Sequence, residues 1–396
     1  MKGALAGVRV LEWGELVSAP YCTKLLRELG AAVDKIEPPA GDPMRCYGPF
    51  RGGRADPEGS GLFLYLNSGK RSIQLDVATA RGRDSLHALL ARSDVLVTNQ
   101  PLRLRQALGL DAAGLRSRHP GLVTAALTVF GDSGAHAGVP AESIDAQAAS
   151  GTAWVLGDPS REPLVVPLLQ ADYQAGAHAA AAIVMALLAR RAALRRGDAR
   201  GETIDIASAD VLAAATGTNS LVYLFHGLQR WARSGRRAYA SGGPYPYTIL
   251  PCRDGAVCLI GRARVEWERL VEAMGRPAWT REARYQDLHA MGRHYPDEVD
   301  ALLAPWLQGH TRAQLLELAE KHGFPLAPLR TMDEVLASEQ LLHRRFLRTI
   351  DTGAAGPVSV PGVPWRTAGQ PAPALPGPAP RLGEHTGEAL AELEAA

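Results

Sequence analysis

The stretch from residue 8 to residue 37 opens on Val8-Arg9-Val10-Leu11, passes through Ser18-Ala19-Pro20 into an amphipathic run that stops at Gly30, and closes on Ala32-Val33-Asp34-Lys35-Ile36-Glu37. A short β-branched run, a segment with the helical period and a second β-branched run predict strand, helix and strand. Two strands joined by a helical crossover lie parallel, because a tight hairpin turn can join only antiparallel neighbours. The unit therefore predicts an α/β fold.

Working outward, Pro38-Pro39 breaks the second strand, and the Gly, Pro and Arg-rich residues 40–60 predict a long loop. Arg71-Ser72-Ile73-Gln74-Leu75 precedes a helix to Arg92, Asp94-Val95-Leu96-Val97-Thr98 forms the next strand, a helix covers 101–108, and Leu122 to Val129 is a further strand. Alternation at this spacing predicts a parallel sheet covered on both faces. Asp172 to Arg191 is Ala-rich and apolar on most faces, which predicts a helix inside the molecule, followed by a basic turn at Arg195 to Gly201. From about 247 to 330 a strand pair, Tyr247 to Leu250 and Ala256 to Ile260, followed by helical segments predicts a smaller α+β domain. The Gly and Pro-rich tail at 353–380 predicts an extended surface segment.

Composition narrows the function classes. With 396 residues and 46% hydrophobic side chains, the chain has material for a large core, which excludes a peptide hormone, a disulfide miniprotein and a coiled coil. Lys plus Arg number 43 against 41 Asp plus Glu, a formal charge of +2 that gives no ground to expect nucleic acid or an anionic membrane as partner. Cys22, Cys46, Cys252 and Cys258 make no CxxC pair and no metal-ligand spacing, so free thiols, no zinc and no other metal are expected. No apolar leader precedes Glu12 and Glu15, and the apolar stretch Ala175 to Ala189 falls short of the roughly 20 residues a bilayer needs. A cytoplasmic protein is the expectation.

Nucleotide signatures are missing: no GxGxxG follows the first strand, Leu64 stands where a P-loop would have its first glycine, and HExxH is absent. Gly131-Asp132-Ser133-Gly134 resembles a serine-protease nucleophile segment but follows a strand of an α/β pattern, so it reads as a turn. Asp172 lies between the apolar run Leu164 to Leu169 and the Ala-rich helix, at an expected N-cap position. A capping carboxylate accepts the free N–H groups of the first turn. The same geometry keeps it ionised and aimed above the helix, as a nucleophile requires, and the two roles are compatible. His178 reads as a hydrogen-bonded core residue without a catalytic role. Lys70, Arg71, Arg103 and Arg105 fall near strand ends or helix starts, where parallel α/β sheets bind anions.

The order and spacing of several segments resemble the family III CoA-transferases, the group that includes formyl-CoA transferase and crotonobetainyl-CoA:carnitine CoA-transferase, with α-methylacyl-CoA racemase as a relative. The segments are Leu5 to Glu12, Ala19-Pro20, Leu29-Gly30-Ala31 through Lys35-Ile36-Glu37, Gly41-Asp42, Asn67-Ser68-Gly69-Lys70-Arg71-Ser72, Asp94 to Asn99, Ala148-Ala149-Ser150-Gly151, and Asp172 with Gly176 and His178. The resemblance runs nearly end to end. It implies a Rossmann-like large domain over 1–220, to which 335–396 returns, a small domain over 221–334, and an interlocked homodimer.

It also implies transfer of coenzyme A from an acyl-CoA to a carboxylic acid, with Asp172 attacking the thioester carbonyl to form an aspartyl mixed anhydride. Val17 and Ser18 would line the CoA pocket, Leu75 would touch pantetheine or adenine, Asn99 and Gln100 would sit at the adenosine end, and Arg71, Arg103 and Arg105 would meet phosphates. Gly242-Gly243 resembles the family's glycine-rich substrate loop, though shorter. Pro38 replaces an arginine common after Lys-Ile-Glu, so Arg45 or Arg71 is the substitute expected. Ala141-Glu142-Ser143-Ile144-Asp145 lacks both the Lys and Tyr-Glu pair of formyl-CoA transferase and the Gly-His-Asp of the racemase branch. Transfer is thus favoured over epimerisation of a 2-methylacyl-CoA; a silent acyl-CoA binder is the alternative from another class.

Overall fold

The computed structural model describes residues 3–50, 53–197, 200–226, 233–238, 243–352, 356–366, 368 and 377–395. Their contacts divide into two compact units, one of residues 1–150, 166–214 and 338–396, the other of 151–165 and 215–337.

The first unit is built on a parallel sheet of six strands: β1 (Arg9–Trp13), β2 (Ala32–Glu37), β3 (Arg71–Gln74), β4 (Val95–Thr98), β5 (Val123–Thr128) and β6 (Thr203–Ala207). Their order is β3-β2-β1-β4-β5-β6, the doubly wound arrangement. Its helices include α1 (Ser18–Glu28), α2 (Gly61–Asn67), α3 (Ala80–Ala91), α4 (Leu102–Ala107), α5 (Ala112–Arg118), α6 (Ser143–Ala149) and α7 (Gln170–Leu194).

Strand alternation divides the core in two. Val10, Val33, Val95, Val97, Val123 and Ala125 face α1 and α7, while Leu11, Ile36, Ile73 and Leu96 face α3, α5 and the C-terminal helix Thr386–Glu394. A sheet apolar on both sides needs helices on both sides, which is why the strands read as continuous hydrophobic runs.

Several expectations are corrected. The helix read as beginning at Asp172 begins at Gln170, so Asp172 lies inside its first turn, and the N-cap position is Leu169 with φ 53°. That helix buries one stripe, Ala175, Gly176, Ala179, Ala180 and Ile183, rather than most faces: Met185 and Leu188 on it are each 63% exposed. By length and composition its 25 residues would also suffice to cross a bilayer, although its alanine stripe packs on α1, β5 and β6. Residues 203–207, where the sequence predicts no element, form the sixth strand at the sheet's edge. There one face is half-exposed, and the polar Thr203 and Asp205 obscure the apolar pattern.

The tail read as extended surface holds a strand, β11 (Pro357–Pro361), paired antiparallel with β10 (Leu347–Asp351). A two-stranded ribbon has open edges, and proline is tolerated there. Further along, the Pro378 carbonyl accepts from the Gly69 N–H and the Pro380 carbonyl from Arg45. Within 40–60, Asp42 caps a short 3-10 turn at Pro43–Cys46.

The second unit has an antiparallel sheet of β7 (Tyr247–Cys252), β8 (Gly255–Ile260) and β9 (Leu326–Pro328). Leu250, Val257, Leu259, Trp267, Leu270, Val299, Leu303 and Leu307 form its core.

Candidate active site

In the sheet order β1 and β4 are neighbours, and the chain departs from them in opposite directions across the sheet. Outside the carboxyl ends of two such strands a crevice opens, which is where doubly wound sheets hold ligands. The β1–α1 loop, residues 14–17, lies at this edge, and Asn99, just past β4, is bonded to it: its Oδ1 accepts from the Glu15 N–H at 2.9 Å, and its Nδ2 donates to the Glu15 carbonyl at 2.8 Å and to Ser18 Oγ at 3.0 Å. Gly14 is required by this closeness, since a Cβ there would lie 2.5 Å from Ala19 Cβ and 2.9 Å from Asn99 Oδ1. Leu16 stands at φ 60°, a left-handed conformation costing a non-glycine residue about 1–3 kcal/mol and held only by its surroundings.

Val17, Ser18, Asn99 and Gln100 are thus brought together at one edge of the sheet, with Val17, Ser18 and Gln100 buried. Leu75 follows β3, two strands away, and is buried among the leucines of the α3 face. Arg103 is exposed on α4.

Because α7 connects β5 to the parallel β6, it starts at the same carboxyl edge. Gly176 packs against Ser18, and Tyr173 meets Tyr21 of α1 edge to face with ring centroids 4.9 Å apart. Asp172 lies one turn before Gly176. Burial pushes its carboxyl above the usual aspartate range; the neighbouring Ser143 hydroxyl partly offsets this, and the Glu142 charge adds to it. Ser143 Oγ is itself buried without a hydrogen bond of good geometry among the described residues. Two consecutive left-handed residues, Leu168 at φ 65° and Leu169 at φ 53°, lead into the helix. A partly desolvated carboxylate on a strained entry can attack an electrophile, because little water stabilises its charge. His178, expected in the core, is exposed and bonds the Gln174 carbonyl at 2.8 Å.

The other basic candidates lie elsewhere. Arg71 sits toward the amino ends of the strands, paired with Asp34 at 2.8 Å and Glu392 at 2.8 Å, beside a cleft of about 440 Å³ that Arg9, Arg27 and Arg92 also line. Arg105 is buried, its guanidinium forked onto Asp132 of the Gly131–Gly134 turn and its Nε on the Gln100 carbonyl. Arg45 is also buried, bidentate with Glu37 and stacked 3.7 Å over the Phe63 ring. Lys70 is inside the protein, on Glu12 at 2.7 Å. Of these arginines and Lys70, only Arg103 is exposed on the carboxyl side.

Gly242 lies outside the described residues. Gly243 is half-buried in the second unit, its carbonyl so close to Gly292 that a Cβ there would sit 2.1 Å away. Among the described residues no group of three or more His, Cys, Asp or Glu side chains is placed to hold a metal.

A model of CoA-transferase family III matches residues 5–386. Over 401 residues the chain is 30% identical to a succinate–glutarate CoA-transferase of Agrobacterium fabrum, covering 99% of this chain and 96% of the relative. It is 29% identical over 392 residues to a succinyl-CoA–D-citramalate CoA-transferase of Chloroflexus aurantiacus (98% and 94%) and 29% identical over 415 residues to a formyl-CoA:oxalate CoA-transferase of Rhodopseudomonas palustris (99% and 94%). Among solved structures, a CAIB/BAIF family protein from Brucella suis superposes with a TM-score of 0.85 at 28% identity, over 99% of this chain and all of the other.

Proposed function

This chain belongs to CoA-transferase family III, and from that premise we propose how it moves coenzyme A from an acyl thioester to a free carboxylic acid. Asp172 is the nucleophile. Its Oδ attacks the thioester carbonyl, the C–S bond breaks, and CoA leaves as the thiolate, so that the carboxylate and the acyl group share an anhydride. The thiolate then returns to the aspartyl carbonyl, forming an aspartyl thioester and releasing the donor acid as a carboxylate that carries away the bridging oxygen supplied by Asp172. The acceptor carboxylate then displaces the thiolate to form a second anhydride, and the thiolate takes the new acyl group, restoring Asp172. One thioester replaces another, so the exchange is close to thermoneutral, and a site that excludes water protects the anhydrides.

The observation that carries this reading is the half-buried, partly desolvated Asp172 carboxylate at the start of α7, on the strand edge that also holds Ser18 and Asn99. Coenzyme A would occupy the crevice with Val17, Ser18, Asn99 and Gln100 along it and Arg103 toward its phosphates, whereas Leu75, packed in the core of the α3 face two strands away, would not line it. Arg71 and Arg105, whose guanidinium groups already have carboxylate partners, would contribute little. We assign 1–220 with 335–396 to CoA binding and, within 221–334, Gly242 and Gly243 to a substrate loop. The relatives named above act on succinate, glutarate, citramalate and oxalate, so small dicarboxylic acids are the acceptors to try first.

The enzyme works as a homodimer in the cytoplasm, with interlocked chains. The exposed apolar face of α7 supports an interface, since Met185 and Leu188 otherwise meet water.

Incubation with succinyl-CoA and hydroxylamine, followed by mass spectrometry, tests the mechanism. A hydroxamate on the peptide carrying Asp172 is the expected result. Labelled CoA scrambling between donors with Asp172 unmodified would overturn it.

A further inference from the structure

Four of the segments that carried the family resemblance meet beneath one loop. Glu12, Lys35, Asp42 and Lys70 come from separate parts of the sequence, and each is at most 3% exposed. Lys35 Nζ donates to Glu12 Oε1 at 2.7 Å and to the Gly14 carbonyl at 2.8 Å, and lies 2.7 Å from Asp42 Oδ2. Lys70 Nζ donates to Glu12 Oε2 at 2.7 Å, to the Pro20 carbonyl at 2.9 Å and to Asn67 Oδ1 at 2.8 Å. The Lys70 ammonium has three protons and three acceptors, while Lys35 makes two hydrogen bonds and an ion pair with Asp42, whose Oδ2 makes no hydrogen bond among the described residues. Two carboxylates and two ammonium groups make the cluster neutral.

What the cluster grips is the β1–α1 loop. Lys35 takes the Gly14 carbonyl, Lys70 the Pro20 carbonyl, and Asp42 Oδ1 accepts the Leu16 N–H at 3.1 Å together with the Met44 N–H at 2.8 Å. Asn99 holds both polar groups of Glu15 from the other side. A leucine at φ 60° does not keep that conformation unaided. Apolar packing would fill the same space with less desolvation, but it would leave the loop's N–H and carbonyl groups without partners. Asp42 is the member that joins the buried charges to the strained residue.

We infer that Asp42 is a positioning residue for coenzyme binding: by holding the Leu16 N–H from within the buried Glu12, Lys35 and Lys70 cluster, it keeps residues 14–18 in the shape that receives CoA. This rests on the reading that Val17 and Ser18 line the coenzyme site.

The test is titration calorimetry of free CoA against the wild type, Asp42→Ala and Asp42→Asn, with amide hydrogen exchange at Leu16. Asp42→Ala removes the acceptor and should weaken CoA binding by about tenfold or more, the scale of losing a hydrogen bond to a charged group. Asp42→Asn keeps an oxygen for Leu16 and should lose severalfold. In both, exchange at Leu16 should quicken while β1 and β2 stay protected, and the KM for succinyl-CoA should rise with the KM of the acid acceptor unchanged. If Asp42→Ala does not fold, Asp42→Asn decides alone. A folded Asp42→Asn with wild-type CoA affinity and unaltered exchange at Leu16 overturns the inference. Ser18→Trp separates the two readings: if blocking the loop directly leaves CoA binding intact, the loop is not the coenzyme site and the proposed site itself fails.

Discussion

Gly176 of α7 faces the backbone carbonyl oxygen of Ser18 so closely that a Cβ built on it would lie 2.6 Å from that oxygen and 3.2 Å from the Cys22 nitrogen. The contact sets the spacing of the two helices whose first turns carry Asp172 and Ser18. It joins the proposed nucleophile to the proposed coenzyme site through rigid elements rather than through loops.

Gly176→Ala is therefore expected to destabilise the protein. Helix propensity favours alanine over glycine by about 1 kcal/mol, but overpacking against backbone that cannot rotate away costs about 1–3 kcal/mol. The net sign should be a lower thermal unfolding midpoint, with transfer activity reduced further than the remaining folded fraction explains. An unchanged midpoint would mean that α7 can move away from α1 freely.

Asp172→Asn should abolish transfer and leave CoA binding in place. Burial raises this carboxyl above its ordinary value, so the folded chain holds the proton more tightly than the unfolded one. Its contribution to stability is present below the unfolded value and is lost as pH rises through the folded one. At pH 7 the ionised group thus opposes folding, and Asp172→Asn should unfold at a higher temperature than the wild type. The acid limb of kcat/KM should also lie above the usual aspartate range, because only the ionised form attacks; a limb at ordinary aspartate pH would argue against Asp172.

Glu12 carries the opposite sign. Burial alone would raise its carboxyl, but the Lys35 and Lys70 ammonium groups together overcome burial and hold it at about 2. Its contribution, on the order of 3 kcal/mol, is complete above the unfolded value and is lost as pH falls from 4.5 toward 2. Glu12→Gln should remove that part of the acid transition and lower stability at neutral pH by about 3–5 kcal/mol, since two buried ammonium groups lose their shared partner. Chemical denaturation at a series of pH values measures both effects.

Leu188→Glu puts a charge on the exposed face of α7, away from the stripe that packs on the sheet. Analytical ultracentrifugation should find the wild type dimeric and the variant shifted toward monomer, with the folded content by circular dichroism unchanged. A monomeric wild type would remove α7 from the interface.

Most strands were legible in the sequence because a sheet buried on both faces needs uninterrupted Val, Ile and Leu, as in Val95-Leu96-Val97. β6 was not, for an edge strand with polar Thr203 and Asp205 lacks that signal. Asp172 stood out through its place before an alanine-rich helix and through the family resemblance. Its true position in the first turn was hidden, because the two left-handed leucines ahead of it have no signature in residue type.

Residue type and spacing by themselves determined the α/β class and the strand–helix rhythm, and the resemblance of several segments pointed to the family. They could not determine which charges are free. Lys70, Arg71, Arg45 and Arg105 all look alike along the chain as cations near strand ends; only the folded molecule turns one inward onto Glu12, sends another to the amino edge with Asp34 and Glu392, and locks the remaining two onto Glu37 and Asp132. Ionic partners are chosen by proximity in the folded chain, here across separations from 8 to 321 residues, and a local pattern carries no record of that choice.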